Sequence, residues 1–326
     1  MMMCSKPLIR TLLSLILCAL GGEGYGREFR SSDVNAYDFP TVRAVAFMDR
    51  RMRERTDGRL SIGALGANAQ TSENFAIGEV RNASIDMARV GVSALHGTVP
   101  MTAVLSLPFL FRSTGHLRNV LDGPIGEEIL ASFESYGFVG LCFYETGFRS
   151  LYAAKPIRTP GDLAGMRIRI QQSSISVGMI QALGARPAPL PNNHVHTSFV
   201  AGQIDGAQDN FAAYMAQHHY KVAKAFSPLE HSAEPSVLVF SKRVWDKLSV
   251  QEQAIVREAA KESVSYFREV WNAYLLTLSQ VAQAEGVQIV SGIDRDAFVR
   301  RLAPLDDLLV SDRALQMLVR KIRSSK

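Results

Sequence analysis

Apolar and polar positions change their period several times along the chain, and each change marks an element. After Pro40, the residues Val42, Val45, Ala46, Met48 and Met52 recur at helical spacing, which predicts a helix to about Asp57 with Gly58 as its stop. RLSIGAL reads as a strand, SENFAIGEVRN as a helix and IDMARVGV as a strand again. IGEEILASFESYG is a helical segment followed by the strand FVGLCFYE. A second series starts near Gly147, with RSLYAA, a turn at PGDL, the strand MRIRIQQ, the helices SISVGMIQALG and NNHVHTSFVAGQ, the DGAQDN segment and the strand PSVLVFSKRVW. From Ser249 to about Ala284 there is no Gly or Pro. That predicts a helix of about 50 Å, far longer than the average and long enough to brace two lobes. VQIV and two short amphipathic helices close the chain.

Strands alternating with helices indicate an α/β fold. A length of 326 residues suits two cores better than one. Internal repeats, low-complexity runs and flexible linkers are missing, so the expectation is two lobes joined by crossing strands. The boundaries expected are 27–147 plus 236–276 for the first lobe and 148–235 plus 277–326 for the second.

The first 26 residues depart from this pattern. Lys6 and Arg10 precede the apolar run TLLSLILCAL, and the small residues of GGEGYG follow, which is the order of a secretory signal peptide. Leu17 stands before Cys18 where a lipoprotein signal needs a small residue, so an export signal is expected and not a lipid anchor. Its removal near Gly26 leaves a net charge of about +4. An uncleaved membrane anchor is the other reading. Cys4 and Cys18 leave with the signal; Cys142 stays alone, so neither a disulfide nor a CxxC zinc pair is available. These features point to a periplasmic protein. With 21% charged residues and no basic block, nucleic acid is not an expected partner.

No G-x-S-x-G, P-loop, H-E-x-x-H or G-x-G-x-x-G motif occurs in the mature chain, which takes away the simple grounds for an enzyme or a bound cofactor. Of the seven histidines, His194/His196 and His218/His219 are spaced so that a helix would not bring either pair to one face; no metal site is expected. What remains is a set of arginines in apolar company: Arg89 in IDMARVGV, Arg149 after Gly147-Phe148, and Arg167 and Arg169 in GMRIRIQQ. Each alone reads as a strand-end arginine with a surface carboxylate. Several together near strand ends, where open sheets bind ligands, point to an anion.

GRLSI, SENFAIGEVRNASIDMARVGVSAL, LSLPFLF, GFRSLYAAKPIRTPGDLAGMRIRI, LGARPAPLP, GQIDGAQDN and VLVFSKRVWDKLS follow one another in an order that resembles the solute-binding proteins of TRAP (tripartite ATP-independent periplasmic) transporters. The resemblance covers nearly all of the mature chain. It implies a two-lobed α/β periplasmic binding protein fold, with crossing hinge strands and a long helix spanning both lobes. Such a protein closes on an organic acid and delivers it to a membrane permease. By the same resemblance Arg169 is the carboxylate-clamping arginine, Arg149 the second arginine and Asn210 the asparagine that reaches the ligand. A guanidinium gives a carboxylate two parallel charge-assisted bonds that lysine cannot copy. Arg167 matches a variable basic position and is expected in solvent.

FRSSDVNAYDFPTV, the Arg-Val of MARVGVSALHG, QQS after Arg169 and Glu230-His231 resemble the subgroup that binds uronates and related hydroxy acids. That adds Arg89, Gln171 and His231 as candidate contacts, with Asn35, Asp38 and Glu73 beside them. Two departures bear on the ligand: His194-Val195-His196 where relatives often carry Glu-Val-Tyr, and Gln70-Thr71 where they often carry Leu-Gly. The protein reads as a monomer without catalytic residues. The alternatives are an aromatic monocarboxylate ligand, favoured by Tyr144, Phe148, Tyr152 and Phe211, a 2-oxo acid, a sensor role, and an exported sugar-acid enzyme with Glu73, Asp209 or His231 as base.

Overall fold

Pleated strands that are apolar on both faces must be covered twice, and this chain builds two such sheets. The computed structural model describes residues 26–65, 72–305, 310 and 312–325; residues 1–25 of the expected signal peptide and Gln70-Thr71 lie outside them. The first sheet has the order β2-β1-β3-β10-β4, made of β1 (Arg27–Ser32), β2 (Leu60–Leu65), β3 (Met87–Gly91), β4 (Phe138–Tyr144) and β10 (Ser236–Ser241). The second has the order β11-β9-β5-β8-β6-β7, made of β5 (Phe148–Ala153), β6 (Arg167–Ile170), β7 (Arg186–Pro189), β8 (Gly206–Asn210), β9 (Ala225–Ala233) and β11 (Gln288–Ile289).

The chain passes between the sheets at residues 145–147, from β4 to β5, and again at 234–235, from β9 to β10. Gly147, at φ 81°, makes the first passage in a conformation that side-chain-bearing residues rarely adopt. On the way Glu145 is buried and accepts bonds from Arg118 of α3 (Thr114–Asp122) and Arg268 of the long helix. Sheet faces follow the period of two: Leu238 and Phe240 of β10 join one apolar cluster, Val237 and Val239 the other.

The long helix α9 (Val250–Ala284) runs for 35 residues, about 52 Å at the standard rise. Ser249 and Glu252 close a reciprocal capping box at its start. Its stripe of Val256, Ala260, Val264, Phe267 and Trp271 shares one cluster with Val45, Met48 and Met52 of α1 (Pro40–Thr56). Tyr152 and Ala207 of the second sheet belong to that cluster too, as do Ala212 and Met215 of α7 (Phe211–Ala216), so the helix ties both lobes.

The final helix, Arg313–Ser324, buries Leu318, Val319 and Ile322 in the cluster that holds Leu105, Leu117 and Val120. Grouped with the second lobe in the sequence reading, it lies on the first, where its amphipathic stripe finds an apolar partner surface. Among the elements that had no expectation of their own are α3, β7, α7 and β9. β9 contains Pro228 and a register break between its pairings at Ser227 and Ser232, so its alternation is interrupted in sequence as in space.

Candidate carboxylate-binding site

β3 lies between β1 and β10, and Arg89 leaves it into a nest of acidic groups. Its Nε donates to Asp33 Oδ2 at 3.1 Å, and Nη1 donates to Glu73 Oε1 at 2.8 Å and Ser236 Oγ at 3.3 Å. Nη2 bonds Asp33 Oδ1 as well. Glu73, the first residue of α2 (Glu73–Asn82), also accepts from the Gly91 amide at 3.0 Å. Burial works against the charge on Arg89, but Asp33 and Glu73 outweigh it and raise its proton affinity above that of a free guanidinium. This arginine meets two carboxylates and a hydroxyl.

The second lobe arranges the same residue types differently. β5 and β8 run antiparallel with Arg149 opposite Asn210, while β6 runs parallel to β8 and sets Arg169 beside Ala207. The Asp209 carboxylate is shared: its Oδ1 is 3.2 Å from Arg149 Nη1 and its Oδ2 is 3.4 Å from Arg169 Nη1. Glu234, in the second crossing strand, lies 3.0 Å from Arg149 Nε. That pair is close but not aligned as a hydrogen bond, so Arg149 Nε and Glu234 Oε2 are both left without a bonded partner. Arg169 is 1% exposed and donates from Nε to the Leu190 carbonyl at 2.9 Å. Burial lowers its pKa and Asp209 only partly opposes this, whereas Arg149, nearer to two carboxylates, is raised against its own burial. Burial pushes the Glu234 carboxyl up, with Arg149 opposing. Arg169 is a buried cation short of negative charge.

Beside this group His231 Nε2 donates to Gln208 Oε1 at 2.6 Å, because an amide oxygen can only accept. His231 Nδ1 and Gln208 Nε2 are buried without partners, one an acceptor and the other a donor. Burial, aided by Arg149, lowers the His231 pKa to about 3, so the ring is neutral. The His231 carbonyl accepts the Phe109 amide at 2.7 Å, which ties this stretch of β9 to the first lobe.

Gln171 joins the lobes: its Oε1 accepts from Ser93 Oγ at 2.8 Å. Asn210 spends its Oδ1 on the Ala213 amide as the N-cap of α7. Asn35 donates to Thr41 Oγ1 at 3.5 Å and through its backbone to Asp33 Oδ1, so it borders the Arg89 group. Asp38 is exposed and acts electrostatically on the Tyr274 phenol, outside both arginine groups. Arg167 forms a half-exposed pair with Asp205, at 2.6 Å. The residues that sequence reasoning did not nominate as ligand contacts are the counter-ions Asp33, Asp209 and Glu234, with Gln208 and Ser93. Only the requirement that a buried guanidinium have a carboxylate could have indicated the three acids. His194 is exposed and His196 half-buried, and among the described residues no His, Cys, Asp or Glu group is arranged to hold a metal.

Two α/β lobes bridged by crossing strands and a long helix, with buried arginines on each, define a two-lobed solute-binding protein. The profile of the DctP family, the bacterial extracellular solute-binding proteins of family 7, matches residues 31–310, and the chain belongs to that family. Its fold is similar to the TRAP periplasmic solute-binding protein of Xanthobacter autotrophicus Py2, solved with β-D-galacturonate, at 42% identity and a TM-score of 0.88 over 91% of this chain and 100% of that one. The counterpart from Bradyrhizobium sp. BTAi1, in complex with D-galacturonate, gives 42% identity and 0.88 over 92% and 100%. The 2,3-diketo-L-gulonate-binding periplasmic protein of Escherichia coli K12 is 29% identical over 263 residues, 80% of each chain. Among the described residues no helix is long and apolar enough to cross a membrane.

Proposed function

We propose that this protein captures a uronate of the galacturonate type in the periplasm and delivers it to the membrane permease of a TRAP transporter. One observation carries the reading: Arg169 is almost fully buried, shares its nearest carboxylate with Arg149, and has its charge disfavoured by its surroundings. A ligand carboxylate would supply the missing charge through paired N–H···O bonds. The unpartnered His231 Nδ1 and Gln208 Nε2 offer an acceptor and a donor of the kind a polyhydroxylated acid needs. Two relatives at 42% identity were solved with galacturonate, which supports the same class here.

The competing readings lose their residues to other work. Glu73 is bonded to Arg89, Asp209 is held between two arginines, and His231 is kept neutral far below physiological pH, so none of the three stands poised as a general base. Tyr144 bonds Ser263, Tyr152 bonds His219 and Phe211 packs on Phe226, so three of the four rings named for an aromatic ligand, Phe148 being the fourth, have protein partners.

A thermal-shift screen of D-galacturonate, D-glucuronate, benzoate and pyruvate tests this. A ligand that binds only the folded form raises the melting temperature by mass action. The uronates should do so and the other two should not. A response to benzoate or pyruvate alone, or NMR-detected conversion of the uronate, would overturn the proposal.

A further inference from the structure

The strands bearing Arg89 and Arg169 each lead into a short segment, and the two segments meet between the lobes. After β3 comes a single turn of 3-10 helix, Val92–Leu95, followed by His96. After β6 come residues 171–173, which lead into α5 (Ser174–Ala182). Ser93 Oγ donates to Gln171 Oε1 at 2.8 Å, and His96 Nδ1 lies 3.3 Å from Ser173 Oγ. Ile175, in the first turn of α5, is 3% exposed and sits in the apolar cluster of the first lobe with Leu95 and Val99. Two hydrogen bonds and one apolar peg therefore fasten the second lobe to the first at this point.

Gln171 is two residues beyond Arg169, immediately after the last residue of β6. A free amide side chain samples several rotamers and must lose that freedom to bind. Here its oxygen is already engaged, so the direction of its two N–H donors is set before a ligand arrives.

We propose that Ser93 and Gln171 form a latch in which one amide serves two ends. Its oxygen holds the first lobe, and its NH2 group donates to an oxygen that the clamped acid carries beyond its carboxylate. Ser93 is then a positioning residue that selects for oxygen-bearing acids without touching them. A ligand lacking that oxygen leaves a half-buried donor unpaired, which costs affinity. This rests on the uronate reading above.

Stopped-flow binding of D-galacturonate to the mature protein is the test. Ser93→Ala removes the hydroxyl from Gln171 and from the Glu234 carboxylate beside it, and should raise the dissociation rate about fivefold while leaving the association rate within about twofold. Gln171→Leu should lose more, and the double variant should be no worse than Gln171→Leu alone. An unchanged dissociation rate in Ser93→Ala, or losses that add, would overturn the latch. Spin labels at Val34→Cys and Val200→Cys, both exposed and one on each lobe, read the latch without ligand. In the ligand-free protein Ser93→Ala and Gln171→Leu should lengthen the inter-lobe distance equally and no further together, whereas an unchanged distance counts against the latch. Failure of the uronate reading would instead appear as no galacturonate binding by the wild-type protein.

Discussion

Arg89 and Arg169 are both buried, both sit in sheets, and both meet carboxylates, yet their surroundings move their proton affinities in opposite directions. Arg89 has Asp33 and Glu73 and a serine hydroxyl. Arg169 has part of Asp209, at 3.4 Å, and a main-chain carbonyl. The first lobe completes its arginine internally; the second leaves its arginine incomplete. Burial alone therefore does not mark a binding arginine. The count of carboxylates separates them: Arg89 and Arg149 each meet two, while Arg169, to which the proposed function gives the ligand carboxylate, shares one.

The largest test of this contrast is Arg169→Ala, which should weaken uronate binding roughly 1000-fold, with Arg169→Lys about 100-fold weaker, as expected for losing two charge-assisted bonds or their paired geometry. Calorimetry measures both; equal affinity in either variant removes the contrast. Next is Asp33→Asn, which strips the Arg89 group of one carboxylate and should cost about 3 kcal/mol of stability in denaturant titration, as for breaking a buried ion pair. Its effect on uronate affinity should stay within about threefold.

Acid comes third. Burial lowers the pKa of His219 to about 4, against Asp209, and of His231 to about 3, with Arg149 adding to it. Both folded values lie below the unfolded value near 6.5, so the unfolded chain binds more protons in between, and stability falls as pH drops through that window. A loss on the order of 2 kcal/mol between pH 7 and 5.5, read as a lower melting temperature, is expected. His231→Gln should reduce that slope. The smallest effect belongs to Asp38→Asn, whose exposed side chain lies outside both groups; affinity should change by less than about twofold.

Much of the architecture was legible in the chain because helical and strand periods are local. The span from Ser249 to Ala284 gave its helix away by lacking Gly and Pro, and α9 covers Val250–Ala284. β9 was opaque because Pro228 and the polar run Glu230-His231-Ser232 break the alternation at the register shift. The arginines could be nominated because cations in apolar strands are conspicuous. Their partners could not: Arg89 meets Asp33 across 56 positions, and Arg169 meets Asp209 across 40. Topology makes those pairs, and no period in the sequence records them. Gln171 was nominated by the resemblance of QQS after Arg169 to the uronate-binding subgroup, but its bond to Ser93 depends on how the two lobes meet.

One residue of β4 bears on how such a protein could be used. Cys142 is buried in the first sheet, and burial pushes its thiol up to about 12. A thiol held protonated and out of reach is a poor nucleophile toward alkylating dyes. It is the one cysteine among the described residues. A fluorophore on a new exposed cysteine would therefore be read against a silent background from the described residues, which suits the chain to a reagentless sensor if it binds a uronate as proposed.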